Sequence, residues 1–378
     1  VLQRLIARPV RRASHHAAGS APAAAGAGNA DHTIRTDRPS IVRTILWEGS
    51  LQHYWDFHPA PDPGTARTPD AAPVIFMVHG FRGDHHGLLR IVQALPAHRI
   101  IVPDLPGFGQ SGQLDGPHTT EAYSRFVEHS LKVLGLGPAT VLLGHSFGSI
   151  IAADFAARRA GSIAALVLVN PICAPALEGP SRLASKAAEL YYVAAARLPE
   201  TAGRALLANP LIVRLMSIYL AKTQIPGLRR YIHGQHAAYF SAFASRRVVL
   251  EAFRASISGT VRDVAADLRM PVLLIAAELD DIGSLEGQRR LADVIPSATL
   301  SIIPGVGHLI HYEKPVEAAH LITSFLATGP ARELIAERTA APAVETSPSP
   351  SAASSPSLPA APSSAAPIPA ASSLKAAQ

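Results

Sequence analysis

The residues with the clearest chemical potential are Gly144-His145-Ser146-Phe147-Gly148. They follow the apolar run Val141-Leu142-Leu143 and precede a helix-like stretch from Ser149 to Arg158. A strand, a tight turn centred on serine and a helix make a nucleophile elbow. The turn forces the serine backbone into a strained conformation. Side chains at 144 and 148 would collide as strand and helix close on each other, so both positions are glycine. The strain holds the hydroxyl out over the strand end, where the first amides of the helix meet any charge that develops. A serine alcohol is a poor nucleophile at neutral pH. It needs a base to take its proton, and the base needs an orienting anion. Asp280 and Asp281 follow the apolar run ending near Ala276, and His308 follows the run ending near Ile303. Each stands just past the C-terminal end of an expected strand, where three distant side chains can converge on one point.

The elements that must position them are also legible. Arg43 to Glu48 and Leu51 to Phe57 read as two strands joined at Gly49-Ser50. Val74 to Val78 and Ile100 to Val102 are continuous apolar runs, as in strands buried on both faces, with a helical segment from about His86 to Leu95 between them. Thr119 to Leu134 is amphipathic, with a capping threonine at its start and Gly135 at its end. After the elbow come a strand from Ile163 to Val169 and another from Pro271 to Ile275. A helix from Ser284 to Val294, a strand from Thr299 to Ile303 and a closing helix from Pro315 to Leu326 complete the pattern. This alternation predicts an α/β fold, a doubly wound, mostly parallel sheet.

Residues 171–268 break the alternation with helical periodicity and no convincing strand. An insertion after a strand's C-terminal end lies where such sheets bind ligands, so it reads as a cap over the site rather than an independent helical domain. Its Tyr191, Tyr192, Tyr219, Tyr231, Tyr239, Phe240 and Phe243, with Leu215 and Met216, either line an apolar pocket or pack the cap helices together. Arg229 and Arg230 read as solvated surface. The expected organisation is a disordered basic, Ala/Gly-rich arm over 1–40, a core over 41–170 and 269–328, the cap over 171–268, and a disordered Pro/Ala/Ser tail over 329–378.

Five stretches in this order resemble the α/β-hydrolase superfamily, in its capped branch of serine esterases and C–C bond hydrolases. His79-Gly80-Phe81-Arg82-Gly83 is similar to the family's oxyanion loop. Asp104-Leu105-Pro106-Gly107-Phe108-Gly109-Gln110-Ser111 is similar to its D-x-P-G-x-G-x-S loop. The elbow is G-H-S-F-G. Ala277-Glu278-Leu279-Asp280 resembles the G-x-x-D acid turn, with alanine where glycine is usual. Gly307-His308 with Glu313-Lys314-Pro315 resembles the histidine loop and the start of the last helix. The resemblance covers about residues 41–328. It implies Ser146 as nucleophile, His308 as general base and then acid, and Asp280 as the orienting carboxylate, with Asp281 the alternative. It implies an oxyanion hole from the Phe81 and Phe147 amides, Phe81 contributing its amide alone. The sixth-strand acid of some relatives falls near Asn170, which supplies no anion. His79 and Gly80 read as support for the oxyanion loop, His145 as packing beside the nucleophile, Asp104 as a structural loop tie, and His311 as a surface residue.

The implied activity is hydrolysis of carboxylic esters of small to medium apolar substrates through an acyl-enzyme. A serine at the elbow, rather than a carboxylate, points to acyl chemistry and away from halide displacement and epoxide opening. The alternatives are C–C bond hydrolysis of ring-cleavage-type diketones and a cofactor-free haloperoxidase-like activity. A non-catalytic scaffold is disfavoured because no triad member is missing. The net charge is +6, and four arginines of the N-terminal arm account for most of it. The remaining basic residues form no stripe, so no nucleic-acid partner is expected. One cysteine, Cys173, rules out an intrachain disulfide. His15-His16 and His85-His86 have no Cys or carboxylate at ligand spacing, so neither a metal nor any other cofactor is expected. No run approaches the ~18 apolar residues of a spanning helix, which makes a cytoplasmic protein the expectation. The partner is a small-molecule ester or related carbonyl compound.

Overall fold

The computed structural model describes residues 38–60, 72–175 and 182–340. The expected arm, apart from residues 38–40, and the tail beyond residue 340 lie outside the described residues.

Among the described residues eight strands form one sheet: β1 (Ile41–Trp47), β2 (Ser50–Phe57), β3 (Ile75–Val78), β4 (Ile100–Pro103), β5 (Val141–His145), β6 (Ala165–Val169), β7 (Val272–Ala277) and β8 (Ala298–Ile303). Their order is β1-β2-β4-β3-β5-β6-β7-β8. The β1–β2 and β2–β4 pairs are antiparallel, and every other pair is parallel. Glu48 and Gly49 turn the β1–β2 hairpin, both with positive φ (45° and 75°). Such a turn matches the twist of the flanking strands.

The central strands are apolar throughout because both faces are covered. On β3, Phe76 and Val78 face one layer of helices, while Ile75 and Met77 face the other. The first layer includes α2 (Thr120–Val133), α3 (Phe147–Arg158) and α9 (Leu285–Val294). The second holds α1 (Leu89–Ala94), α11 (Pro315–Ala327) and α12 (Gly329–Ala340). α2 is capped by Thr119, whose side chain accepts from the Ala122 amide at 3.2 Å. The segment from His85 to Leu88 is a 3-10 turn, so the expected helix there begins only at Leu89. Asp84 caps that turn, and its side chain accepts from the His86 amide.

The cap contains α4 (Arg182–Arg197), α5 (Glu200–Leu207), α6 (Pro210–Leu220), α7 (Pro226–Tyr239) and α8 (Arg246–Ser258), followed by a 3-10 segment, Val261–Asp267. Its described residues contain no strand beyond a single bridge from Phe243 to Phe108. α10 (Ile310–Glu313) precedes α11.

The expected tail boundary at 329 needs correction. Residues 329–340 form α12, which buries Ala331 and Ile335 against the second layer. The Arg338 Nη1 donates to the carbonyls of Pro138 (3.1 Å), Gly161 (3.0 Å) and Ile163 (2.5 Å). Gly-Pro at 329–330 reads as a chain break in composition, but two apolar residues four apart suffice to dock one helical face. The arm boundary at 40 also moves. Arg38 donates through Nη2 to the His58 and His98 carbonyls (2.6 and 2.5 Å) and through Nη1 to Val92 and Leu95 (2.9 and 3.1 Å).

Candidate active site

β5 ends at His145 and α3 begins at Phe147, leaving Ser146 alone at the turn with φ 54° and ψ −119°. A serine in this region is strained and persists only where its surroundings fix it. The Ser146 amide donates to the Val169 carbonyl at 3.1 Å, and the Ser146 carbonyl accepts from the Ser149 amide at 2.8 Å. A Cβ on Gly148 would sit 2.3 Å from the Val78 carbonyl oxygen, and one on Gly144 would sit 2.3 Å from the Gly148 carbonyl oxygen. Those contacts are with backbone, which has no room to yield.

The Ser146 Oγ lies 2.7 Å from His308 Nε2, and His308 Nδ1 lies 2.8 Å from Asp280 Oδ2. An ionised carboxylate only accepts hydrogen bonds, so Nδ1 carries the proton and Nε2 accepts from the serine hydroxyl. Asp280 Oδ1 accepts from the Ile282 amide at 2.8 Å, and Oδ2 also accepts from Asn170 Nδ2 at 3.0 Å. Burial pushes the Asp280 carboxyl up, but the His308 ring, the Ile282 amide and Asn170 together outweigh it and hold it below its ordinary value. The site therefore favours the anion. Asp281 pairs instead with Lys222 Nζ at 2.5 Å. The structure thus brings Ser146, His308 and Asp280 together and leaves Asp281 on the cap side. Asn170, considered in the sequence only as a failed acid, holds the acid in place from the end of β6.

The loop from His79 to Gly83, expected to form the oxyanion loop, lies against the elbow. A Cβ on Gly80 would lie 3.2 Å from the Ser146 Cβ. His79 Nε2 accepts from the Leu105 amide at 2.8 Å, so its Nδ1–H donates to the Gly80 carbonyl at 2.9 Å. His79 thereby ties the oxyanion loop to the Asp104 loop, and burial pushes its pKa down and keeps it neutral. Asp104, fully buried, accepts from the His85 amide and ring and from the Gln110 amide, all within 2.9 Å. Phe147 opens α3, so its amide has no acceptor inside the helix. The Phe81 amide has no acceptor among the described residues. Phe81 offers more than an amide, because its ring packs edge-on against Phe108 and Tyr192 and tilts against Phe253.

His311 is not a surface residue. It is 5 % exposed, and its ring centroid lies 4.1 Å from that of His145. The single turn of α10 directs it inward, which its spacing from His308 does not reveal. Burial and the neighbouring His145 drive its pKa well below the ordinary value. Burial pushes His145 itself down to about 3. His85-His86 also differ from the sequence reading, which found no carboxylate at ligand spacing. Asp84 brings its carboxylate within 4.8 Å of both rings' ligand atoms. His85 Nδ1 is engaged with Asp104 at 2.9 Å and His86 Nδ1 with Asp84 at 3.2 Å. Trp55, His85, His86 and Tyr239 form a series of close rings from the sheet to the cap, with Trp55–His85 and His86–Tyr239 stacked and His85–His86 tilted.

A cavity of about 100 Å³ opens beside Ser146 and His308, lined by Phe81, Leu220, Tyr239 and Phe240 among others. Of the cap residues flagged in the sequence, only Tyr239 and Phe240 line it. Tyr191, Tyr192 and Phe243 pack into or against the core, and Leu215 is exposed.

Residues 73–315 match a family model described as the alpha/beta hydrolase fold. The chain belongs to that family. Lipase 1 of Psychrobacter immobilis is 23 % identical over 263 residues, covering 68 % of this chain and 77 % of the lipase. The pimeloyl-[acyl-carrier protein] methyl ester esterase of Vibrio vulnificus is 22 % identical, covering 68 % of this chain and 96 % of the esterase. The crystal structure of the enol-lactonase from Burkholderia xenovorans superposes with a TM-score of 0.61 at 20 % identity, covering 76 % of this chain and 100 % of the lactonase. Among the described residues no helix is long and apolar enough to cross a membrane.

Proposed function

We propose that this protein is a serine hydrolase that cleaves carboxylic esters of small substrates through an acyl-enzyme. The observation that carries the reading is the continuous chain from Ser146 Oγ through His308 to Asp280, with links of 2.7 and 2.8 Å. In the first half-reaction Ser146 Oγ attacks the ester carbonyl carbon as its proton passes to His308 Nε2. The carbonyl oxygen becomes an oxyanion facing the Phe81 and Phe147 amides, each such donor typically worth about 10²–10³ in turnover. The C–O bond to the leaving alcohol breaks, and that oxygen takes the proton from Nε2. Water then repeats the sequence on the acyl-enzyme, giving its proton to His308 and releasing the acid and the serine. Asp280 stays ionised throughout and stabilises the imidazolium formed twice per cycle.

The relatives support this reading by their names, a lipase and a methyl ester esterase. The small cavity favours short acyl groups. The test is a turnover screen over p-nitrophenyl esters from acetate to octanoate, together with a vinylogous diketone. Fastest turnover on short esters supports ester hydrolysis. Turnover of the diketone alone would replace it with C–C bond cleavage, and no turnover of either class would contradict the proposal.

A further inference from the structure

Between Glu200 and Glu251 the cap contains no acidic residue, although arginine or lysine recurs through that span. α6 and α7 lie within it and are tied together, the Ser217 Oγ of α6 lying 2.6 Å from His233 Nδ1 and 2.7 Å from His236 Nδ1 of α7. On their inner side, Leu220 of α6 and Gln235, His236 and Tyr239 of α7 line the cavity beside Ser146. α6 buries Val213 and Ser217. Its opposite side carries Leu211, Leu215 and Ile218 at the spacing of one helical stripe, 66, 50 and 40 % exposed. Ile225, just before α7, is exposed as well.

Cations flank this stripe. Arg214 is exposed one turn from both Leu211 and Ile218, and Arg230 is exposed on α7. Burial, and then the charges of Arg214 and Arg229 together, push the His233 pKa down, so both guanidinium groups stand near the seam between α6 and α7. Lys222, Arg246 and Arg247 pair with Asp281, Glu200 and Glu251. Arg214, Arg229 and Arg230 form no ion pair among the described residues. Glu313, whose charge Arg229 also feels, is taken by the Lys222 amide at 2.8 Å.

Exposed aliphatic side chains interleaved with unpaired arginines call for a partner that is apolar and anionic at once. A second copy of this face would bring the same cations together. The chain's own ends offer no complement: residues 1–30 carry arginines and no acid, and residues 341–378 carry one glutamate and one lysine. A nucleic acid would match the arginines and leave the leucines unmatched. We propose that the outer face of α6 and α7 docks on an anionic lipid surface. Leu211, Leu215 and Ile218 enter the acyl boundary, and Arg214, Arg229 and Arg230 meet the head-group phosphates. The contact is peripheral and does not depend on the chemistry at Ser146.

The experiment is co-sedimentation of the full-length chain, carrying Ser146→Ala so that no lipid is turned over, with sucrose-loaded vesicles. One set is phosphatidylcholine alone and the other contains phosphatidylglycerol at about 30 % (a composition chosen near the anionic content of cytoplasmic leaflets). The expected result is at least about tenfold stronger partitioning to the anionic vesicles. Adding Arg214→Gln, Arg229→Gln and Arg230→Gln together should weaken it roughly a hundredfold, about fivefold per cation. Adding Leu211→Ser, Leu215→Ser and Ile218→Ser instead should weaken it at least about tenfold. These side chains are exposed, so an unchanged melting temperature will show that both variants fold. No binding to anionic vesicles would overturn the proposal. Binding that survives both sets of substitutions would overturn it too, since the N-terminal arginines would then be responsible. Loss with the arginine set alone would replace it with a purely electrostatic contact, as with an acidic macromolecule.

Discussion

Acid should destabilise this fold well before its carboxylates titrate, because several histidines are buried in the neutral form. Burial holds His145 near 3 and His236 near 4, His236 facing His233, the Ser217 hydroxyl and the Phe240 and Tyr312 rings. In the unfolded chain each returns to about 6.5. Between the two values the unfolded state binds the extra protons, so stability is fully present above about pH 6.5 and is lost as pH falls toward the folded values. At pH 5 each group lies about 1.5 units below its unfolded pKa and remains mostly unprotonated in the fold, which costs roughly 2 kcal/mol per residue. His145 and His236 together therefore cost about 4 kcal/mol, a large share of a typical domain's 5–15 kcal/mol. His79, His118 and His311 are lowered too and add in the same direction. Carboxylates such as Asp104 and Asp280, held below their ordinary values, contribute almost nothing above pH 5. The assay is urea unfolding at pH 7.5 and pH 5.0, repeated with His236→Asn, which keeps a hydrogen-bonding group toward Ser217. The expected loss of at least about 4 kcal/mol should shrink by roughly 2 kcal/mol in the variant. An unfolding free energy that is the same at both pH values would refute the reasoning, as would an unchanged pH slope in His236→Asn.

Other expectations follow from single contacts. Gly148→Ala places a Cβ 2.3 Å from the Val78 carbonyl oxygen, so a loss of about 3 kcal/mol or more in unfolding free energy is expected, by denaturant titration. Asp280→Asn should reduce ester turnover by about 10⁴, as expected when the orienting anion is lost. Asp281→Asn, which removes a partly exposed pair with Lys222, should change turnover by less than about tenfold. Deleting residues 341–378 should leave the melting temperature unchanged, while deleting from 329 onward removes the buried Ala331 and Ile335 and uncovers the core face they pack against, which should lower stability by about 2 kcal/mol or more.

The sheet was legible because its strands are buried on both faces: runs such as Val141-Leu142-Leu143 can hardly be read otherwise. The site was legible because its chemistry requires rare local features, a strained serine between two glycines and loops at strand ends. What was missed depends on contacts far apart in sequence. His311 is turned inward against His145 by the single turn of α10, which nothing in its spacing from His308 discloses. Asn170 reveals its use only when β6 and β7 lie side by side. Arg82 looks like any loop arginine until the cap, more than a hundred residues later, closes two carbonyls over it. α12 was taken for tail because the Ala/Pro composition beyond residue 340 masked its two buried apolar residues.

The central claim is that the Ser146 hydroxyl, alone among the serines, is activated by His308. The most direct measurement is mass spectrometry of the protein after reaction with a fluorophosphonate, which forms a covalent ester with an activated serine oxygen. The expected result is one adduct, on the peptide carrying Ser146, that is lost in both Ser146→Ala and His308→Ala. An adduct on another serine, or labelling that persists in His308→Ala at the wild-type rate, would contradict the account.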